Sequence, residues 1–212
     1  QAAPPEQSLE WSDSAVEGAF RFLKRLWKRV GEQVAAGPAA ALQPGELTQG
    51  QLELRRAAHA TLARVGDDMG RRHTFNNVVA ANMELLNELN RFTDESEQGR
   101  AVVQEALELV VLMLSPVVPH ISHALWHALG HAEAVVDCAW PVVDADALVQ
   151  DTVTLIVQVN GKLRGKVSVA ADAQRDAIEA AVMSEENVCR HIGDQPVKKV
   201  IVVPGKLVNV VV

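Results

Sequence analysis

At residue 151 the hydrophobic period of this chain changes, and that change rules out a single uniform architecture. Before it, apolar residues recur at helical spacing; after it they alternate. Val153, Leu155, Val157 and Val159 are expected on one side of a strand, with Thr152, Thr154 and Gln158 on the other. Asn160-Gly161 then supplies a two-residue hairpin turn. In the return strand Leu163, Val167 and Val169 are expected to face inward, and Lys162, Arg164 and Lys166 outward. A helix is expected from Asp172, broken or re-capped near Ser184. Two further strands, residues 197–203 and 207–212, flank Pro204-Gly205. The last third therefore reads as a small ββαββ domain with a helix covering one face of its sheet.

The first eight residues, with Pro4 and Pro5, read as a frayed lead-in. A helix is expected to start at Ser14, where Ser14 and Glu17 have the spacing of a capping box. Val16, Ala19, Phe20, Leu23, Leu26, Trp27 and Val30 fall in one arc of its surface, about 120° wide at 100° per residue. That arc is expected to face the core. Arg21, Lys24, Arg25, Lys28 and Arg29 fall opposite it, read as a basic face without acids. Three Gly and two Pro over Gly31 to Gly45 mark a connection. Further helices are expected over 48–69, 74–89 and 97–114, and a fifth after Pro116 and Pro119 that runs to Gly130. The fold class is α+β: an all-α bundle over residues 1–148, then the α/β domain over 149–212.

Composition narrows the function. An apolar fraction of 48% and a charged fraction of 22% argue against disorder. No apolar run approaches the ~20 residues that span a bilayer, and no secretory signal opens the chain. Cys138 and Cys189 form no CxxC pair, which fits a reducing cytoplasm. The first residue is Gln, as expected of an excised fragment or a trimmed chain. The net charge of −7 argues against indiscriminate nucleic-acid binding. Its distribution is uneven: residues 1–150 carry 12 basic and 20 acidic side chains, residues 151–212 carry 8 and 7. A polyanion must therefore be met by local patches.

The segments EWSDSAVEGAFRFLKRLW, GRRHTFNNVVAANMELLNEL and LSPVVPHISHALW, the NGKLRGK hairpin and the VIVVPGKLVNVVV tail occur in that order. Together they resemble the C-terminal part of the bacterial leucyl-tRNA synthetases, over nearly the whole chain. The SPxxPHIxxxLW element is shared by several class I synthetases; the hairpin and tail are what single out the leucyl branch. One departure is His123, where the class pattern usually has Glu. The resemblance implies an anticodon-binding helical domain that largely ignores the anticodon. It also implies a terminal domain that reaches the elbow and the long variable arm of tRNA(Leu). The parent enzyme would be a cytoplasmic leucine–tRNA ligase, using ATP with Mg and editing mischarged tRNA. Its catalytic and editing domains are missing here, so the chain itself is expected to be inactive and to need no cofactor. KMSKS is absent. His191-Ile192-Gly193-Asp194 mimics three letters of HIGH but leads to Pro196 rather than into a nucleotide-binding helix.

Candidate tRNA contacts follow. On the first helix they are Arg21, Lys24, Arg25 and Lys28, although a charge run can simply be a solvated face. Arg71 and Arg72 complement a helix C-terminus, and the tRNA reading places them with Asn76 and Asn77 at one inter-helix corner. Lys162, Arg164 and Lys166, with Lys198, Lys199 and Lys206 on strands that could neighbour the hairpin, suit one basic β-surface; edge protection by Lys is the plainer explanation. His120, His123, His127 and His131 share one side of a helix, without HExxH, and no metal is expected. Trp27, Trp126 and Trp140 read as bundle anchors. The rival to a tRNA-holding fragment is a protein-interaction module with an incidental basic face.

Overall fold

The computed structural model describes residues 11–149, 152–171, 173–193, 196–203 and 206–212. The lead-in over residues 1–8 and the Pro204-Gly205 link lie outside them, as does Asp194. The chain divides into two compact units, Gln1–Leu148 and Val149–Val212.

The first unit is a bundle of α1 (Asp13–Ala35), α2 (Gln49–Asp67), α3 (Phe75–Arg91), α4 (Glu97–Leu114) and α5 (Pro119–Ala128). Ser12, not Ser14, caps α1: its hydroxyl accepts from the Ala15 amide at 3.4 Å, and Asp13 in the first turn complements the dipole. Thr48 and Gln51 form a capping box at α2. The Gln51 amide then donates to Asp94 at 2.6 Å and to Ser96 at 3.2 Å, tying α2 to the α3–α4 link. Ser96 caps α4 through the Gly99 amide. A Cβ at Gly99 would lie 2.6 Å from the Asp94 carbonyl oxygen, so this turn admits only glycine. Eleven of the 18 residues of α4 are buried, which makes it the central helix. Around it pack Leu62 and Val65 of α2, Leu85, Leu86 and Leu89 of α3, and Leu125 and Trp126 of α5. Each such buried side chain contributes about 1.5–3 kcal/mol.

A buried ionic knot holds the irregular segment after α5 against this bundle. Arg55 bonds Glu105 at 2.9 Å and Asp144 at 2.6 Å, and His59 Nε2 meets Glu105 at 3.3 Å. The Asp144 amide donates to His59 Nδ1 at 3.2 Å, which leaves the ring proton on Nε2. Burial alone would raise the Glu105 carboxyl, but His59 and Arg55 outweigh it and hold Glu105 below its usual range. The hydrogen bond from Arg55 does the same for Asp144.

The second unit contains β1 (Thr152–Val159), β2 (Lys162–Ala170), α6 (Arg175–Ser184), α7 (Glu186–Ile192), β3 (Lys199–Val203) and β4 (Leu207–Val211). Strand order is β2-β1-β4-β3, with β1 and β4 parallel and the other pairs antiparallel. Asn160 and Gly161 both take positive φ, 49° and 76°, as a two-residue turn between right-twisted strands requires. Leu155, Val157, Val159, Val167, Val169, Val208 and Val210 form the core with Val182 of α6 and Val188 and Ile192 of α7. The helix expected from Asp172 is thus two short helices, and together they cover one face of the sheet.

Candidate nucleic-acid interface

The pairing of β1 with β2 redraws the expected basic face. Up to Val157 opposite Gly165 the register runs without a break; then Gln158 faces Leu163. Arg164 is therefore an extra residue, a β-bulge. Directly opposed residues share a face. Leu163 thus joins Gln158, Ile156 and Lys166 on the open side of the sheet, while Gly165 turns toward the helices. A Cβ at Gly165 would meet the Glu185 carboxyl at 2.9 Å, which fixes that orientation. Lys162 lies opposite Val159 of the core face, at the end of the ladder. Arg164 is half-buried, and its Nε is enclosed with no partner among the described residues. The expected common face for Lys162, Arg164 and Lys166, with Leu163 inward, is corrected accordingly.

The same logic places Lys199, Ile201 and Val203 of β3, and Leu207, Asn209 and Val211 of β4, on the open side. Lys198 and Lys206 precede their strands in the opposite phase. Because β3 and β2 are the two outer strands, Lys198 and Lys199 do not neighbour the hairpin, contrary to expectation. The open face is consequently an apolar platform. Ile156, Leu163 (61% exposed), Ile201 and Val203 are all accessible, Gln158 and Asn209 sit at mid-sheet, and one lysine stands on each edge strand. Leu163 was misplaced from the sequence; the signal that locates it is the lone Gly165 inside a strand pattern, which marks a bulge.

The first helix also differs from expectation. Phe22, Leu26, Val30 and Gln33 are buried. Val16, Phe20 and Trp27 are exposed, so Trp27 is not a bundle anchor. Trp126 is one; Trp140 is 41% exposed and lies beside Gly66. The cations are not free of acids either. Arg21 pairs with Glu17 at 3.4 Å and Lys28 with Glu32 at 3.6 Å, both i,i+4 pairs on the helix surface. Arg25 donates to Asn87 at 2.5 Å and Lys24 sits 5.4 Å from the centre of the Phe20 ring. Among the described residues neither has a carboxylate within ion-pair distance.

At the corner after α2 the chain widens into a single π-helical turn, Asp68–Arg72, ended by His73 with φ of 54°. Arg71 and Arg72 both reach Asp67, at 2.6 and 3.0 Å, and Arg71 holds the Asp67 carboxyl below its usual range. Asn77 turns to Asp68 and Thr74, and Asn76 donates to Asn77. The four expected residues do gather there, but Arg71, Arg72 and Asn77 turn to the acids of that corner and Asn76 to Asn77. The histidines separate: His123 and His127 meet edge to face with Nε2 atoms 3.2 Å apart, and His131 stacks on Trp126 and bonds Glu108. His123 accepts from the Val135 amide at 3.4 Å, so the residue that departs from the class pattern keeps a polar role.

Residues 52–180 match the family described as the anticodon-binding domain of tRNA ligase. The chain belongs to the tRNA-ligase anticodon-binding family. The match crosses from the bundle into the terminal unit and ends in α6. Over 211 residues the chain is 64% identical to a leucine–tRNA ligase of Thioalkalivibrio sulfidiphilus, covering all of this chain and 26% of that protein. A leucine–tRNA ligase of Chromohalobacter salexigens is 59% identical over 210 residues, 99% of this chain and 24% of its own length. This family member thus spans about a quarter of the relatives it matches. Its fold is that of the LeuRS in a ternary LeuRS–tRNA–LeuAMS crystal structure (Agrobacterium radiobacter K84 agnB2), with a TM-score of 0.70 over 96% of this chain and 26% of the other, at 24% identity. No helix among the described residues is long and apolar enough to cross a membrane.

Proposed function

We propose that this chain is the tRNA-holding C-terminal part of a leucine–tRNA ligase, and that it works by positioning. Its surfaces fix the orientation of tRNA(Leu) so that the distant acceptor end enters an active site elsewhere in the longer protein. Activation of leucine with ATP and Mg, and editing, belong to parts of the ligase outside these residues, and the ligase works in the cytoplasm. The observation that carries the reading is the open face of the terminal sheet. An apolar centre suits the flat faces of bases at the outer corner of the folded tRNA, and Lys166 and Lys199 on the two edge strands suit the phosphates on either side. Such a face reads shape rather than base edges, as an elbow and a long variable arm require.

The test is a binding titration of the 212-residue chain against tRNA(Leu) and a tRNA with a short variable arm, at several salt concentrations. Preference for the long arm, and weaker binding by Lys166→Ala with Lys199→Ala, are the expected results. Absence of saturable binding to either RNA at low salt rejects the reading in favour of a protein-interaction module.

A further inference from the structure

The surface of α1 is divided into three arcs rather than two. At about 100° per residue, Phe22, Leu26, Val30 and Gln33 occupy the buried arc. Val16, Phe20, Leu23, Trp27 and Val34 fall in the next arc, about 60° wide. Lys24, Lys28, Arg21 and Arg25 follow beyond it. Phe20 is 61% exposed and Trp27 54% exposed, so the middle arc is an aromatic ridge open to solvent. Contiguous exposed apolar surface marks an interaction site. Charge selects the occupant. Between Asp13 and Ala35 five cations face three carboxylates, whereas residues 1–150 as a whole carry 12 basic and 20 acidic side chains. The ridge is thus bordered by the positive strip of an acidic bundle, and Lys24 sits 5.4 Å from the Phe20 ring.

We infer that Phe20 and Trp27 form a stacking ridge for unpaired nucleotides, with Lys24 beside it for their phosphates. A polyanion that carries flat apolar faces on the same strand satisfies both arcs at once, and every base offers such a face whatever the sequence. This assigns single-stranded RNA segments, rather than duplex, to the helix. It rests on the RNA-holding reading above and adds a second surface, on a different unit from the sheet.

The experiment uses the 212-residue chain, a tRNA(Leu) transcript, and a blunt hairpin of equal charge without unpaired loops. Phe20→Ala and Trp27→Ala touch exposed side chains and leave the fold intact by circular dichroism. Each is expected to weaken tRNA binding about 5- to 100-fold, the range of one lost base–aromatic stack, with no change in salt slope and little change for the hairpin. Trp27→Phe restores most of the affinity, and the share of the fluorescence quenching by tRNA that comes from Trp27, one of four tryptophans, is lost in that variant. Unchanged affinity in both alanine variants, with the parent chain binding tRNA normally, overturns the stacking ridge and gives the arc to a protein contact. Failure of the parent chain to bind tRNA rejects the RNA-holding reading itself, and the ridge with it.

Discussion

Substituting Gly165 tests the bulge that shapes the open sheet face. Gly165 points at the helices from opposite Val157, and an alanine Cβ there would lie 2.9 Å from the Cδ and Oε2 atoms of Glu185. That carboxylate accepts from the Val188 amide at 2.7 Å and caps α7, a helix of only 7 residues. A backbone shift is dearer than a side-chain rotation, so the methyl is expected to expel Glu185 from its cap. Loss of a cap costs about 1 kcal/mol. The greater stiffness of the alanine backbone in the unfolded chain returns up to about 0.5 kcal/mol. Gly165→Ala should therefore cost roughly 0.5–1 kcal/mol, and Glu185→Ala about 1 kcal/mol. The double variant should be no worse than Glu185→Ala alone, because the collision and the cap share one carboxylate. Residues 149–212 contain no Phe, Trp or Tyr, so fluorescence cannot report on this unit. Hydrogen exchange at the Val188 amide can: its protection should fall by about 2- to 5-fold in either single variant, 1.4 kcal/mol being tenfold. Additive losses in the double variant would refute the placement of Gly165 toward Glu185.

The ionic knot of the first unit gives two more expectations. Arg55→Met leaves Glu105 and Asp144 without their arginine partner; breaking a buried pair costs about 3–5 kcal/mol, and the partial exposure of Asp144 argues for the lower end. Thermal unfolding should shift down by roughly 6–12 °C for a unit of this size, and a loss under about 2 °C would contradict the geometry. Glu105 and Asp144 both sit below the usual carboxyl range, so they bind protons less readily folded than unfolded. Their contribution is present above about pH 4 and lost as the pH falls below it. Acid unfolding followed by Trp126 fluorescence should therefore begin at higher pH in Asp144→Asn; an unshifted midpoint would count against the knot.

What was legible in the sequence was local. The helix expected over 97–114 is α4 at both ends, and Asn160-Gly161 fixes the hairpin, because helical periodicity and two-residue turns are decided by neighbouring residues. The faces were legible only where one element meets one environment. Alternation alone put Lys162, Arg164 and Lys166 together, and one inserted residue broke that phase. In α1 the apolar arc was visible, but it is wider than the surface the bundle covers, so hydrophobicity could not say that Phe22 goes inside while Phe20 and Trp27 stay out.

The pairing of cations limits how strongly salt should act on RNA binding. Twelve cations stand among the candidate contacts, but Arg21, Lys28, Arg71 and Arg72 are each committed to a carboxylate. Lys162, Lys198 and Lys206 lie out of phase with the open face, and Arg164 is half-buried at the bulge. That leaves Lys24 beside the aromatic ridge, Arg25 farther round the same helix, and Lys166 and Lys199 on the platform edges. At about 0.7–0.9 per phosphate, four contacts give a slope of log affinity against log salt of about −3 to −4; twelve would give about −8 to −11. A shallow slope with tight binding would mean that apolar surface supplies much of the affinity, as an acidic chain that grips a polyanion requires. Lys166→Ala with Lys199→Ala should reduce the slope by about 1.5–2, whereas Arg71→Ala with Arg72→Ala should change it by less than about 1, since Asp67 already neutralises much of their charge. A parent slope steeper than about −8, or the larger change from the arginine pair, would show that ion pairing does not set which cations the RNA sees.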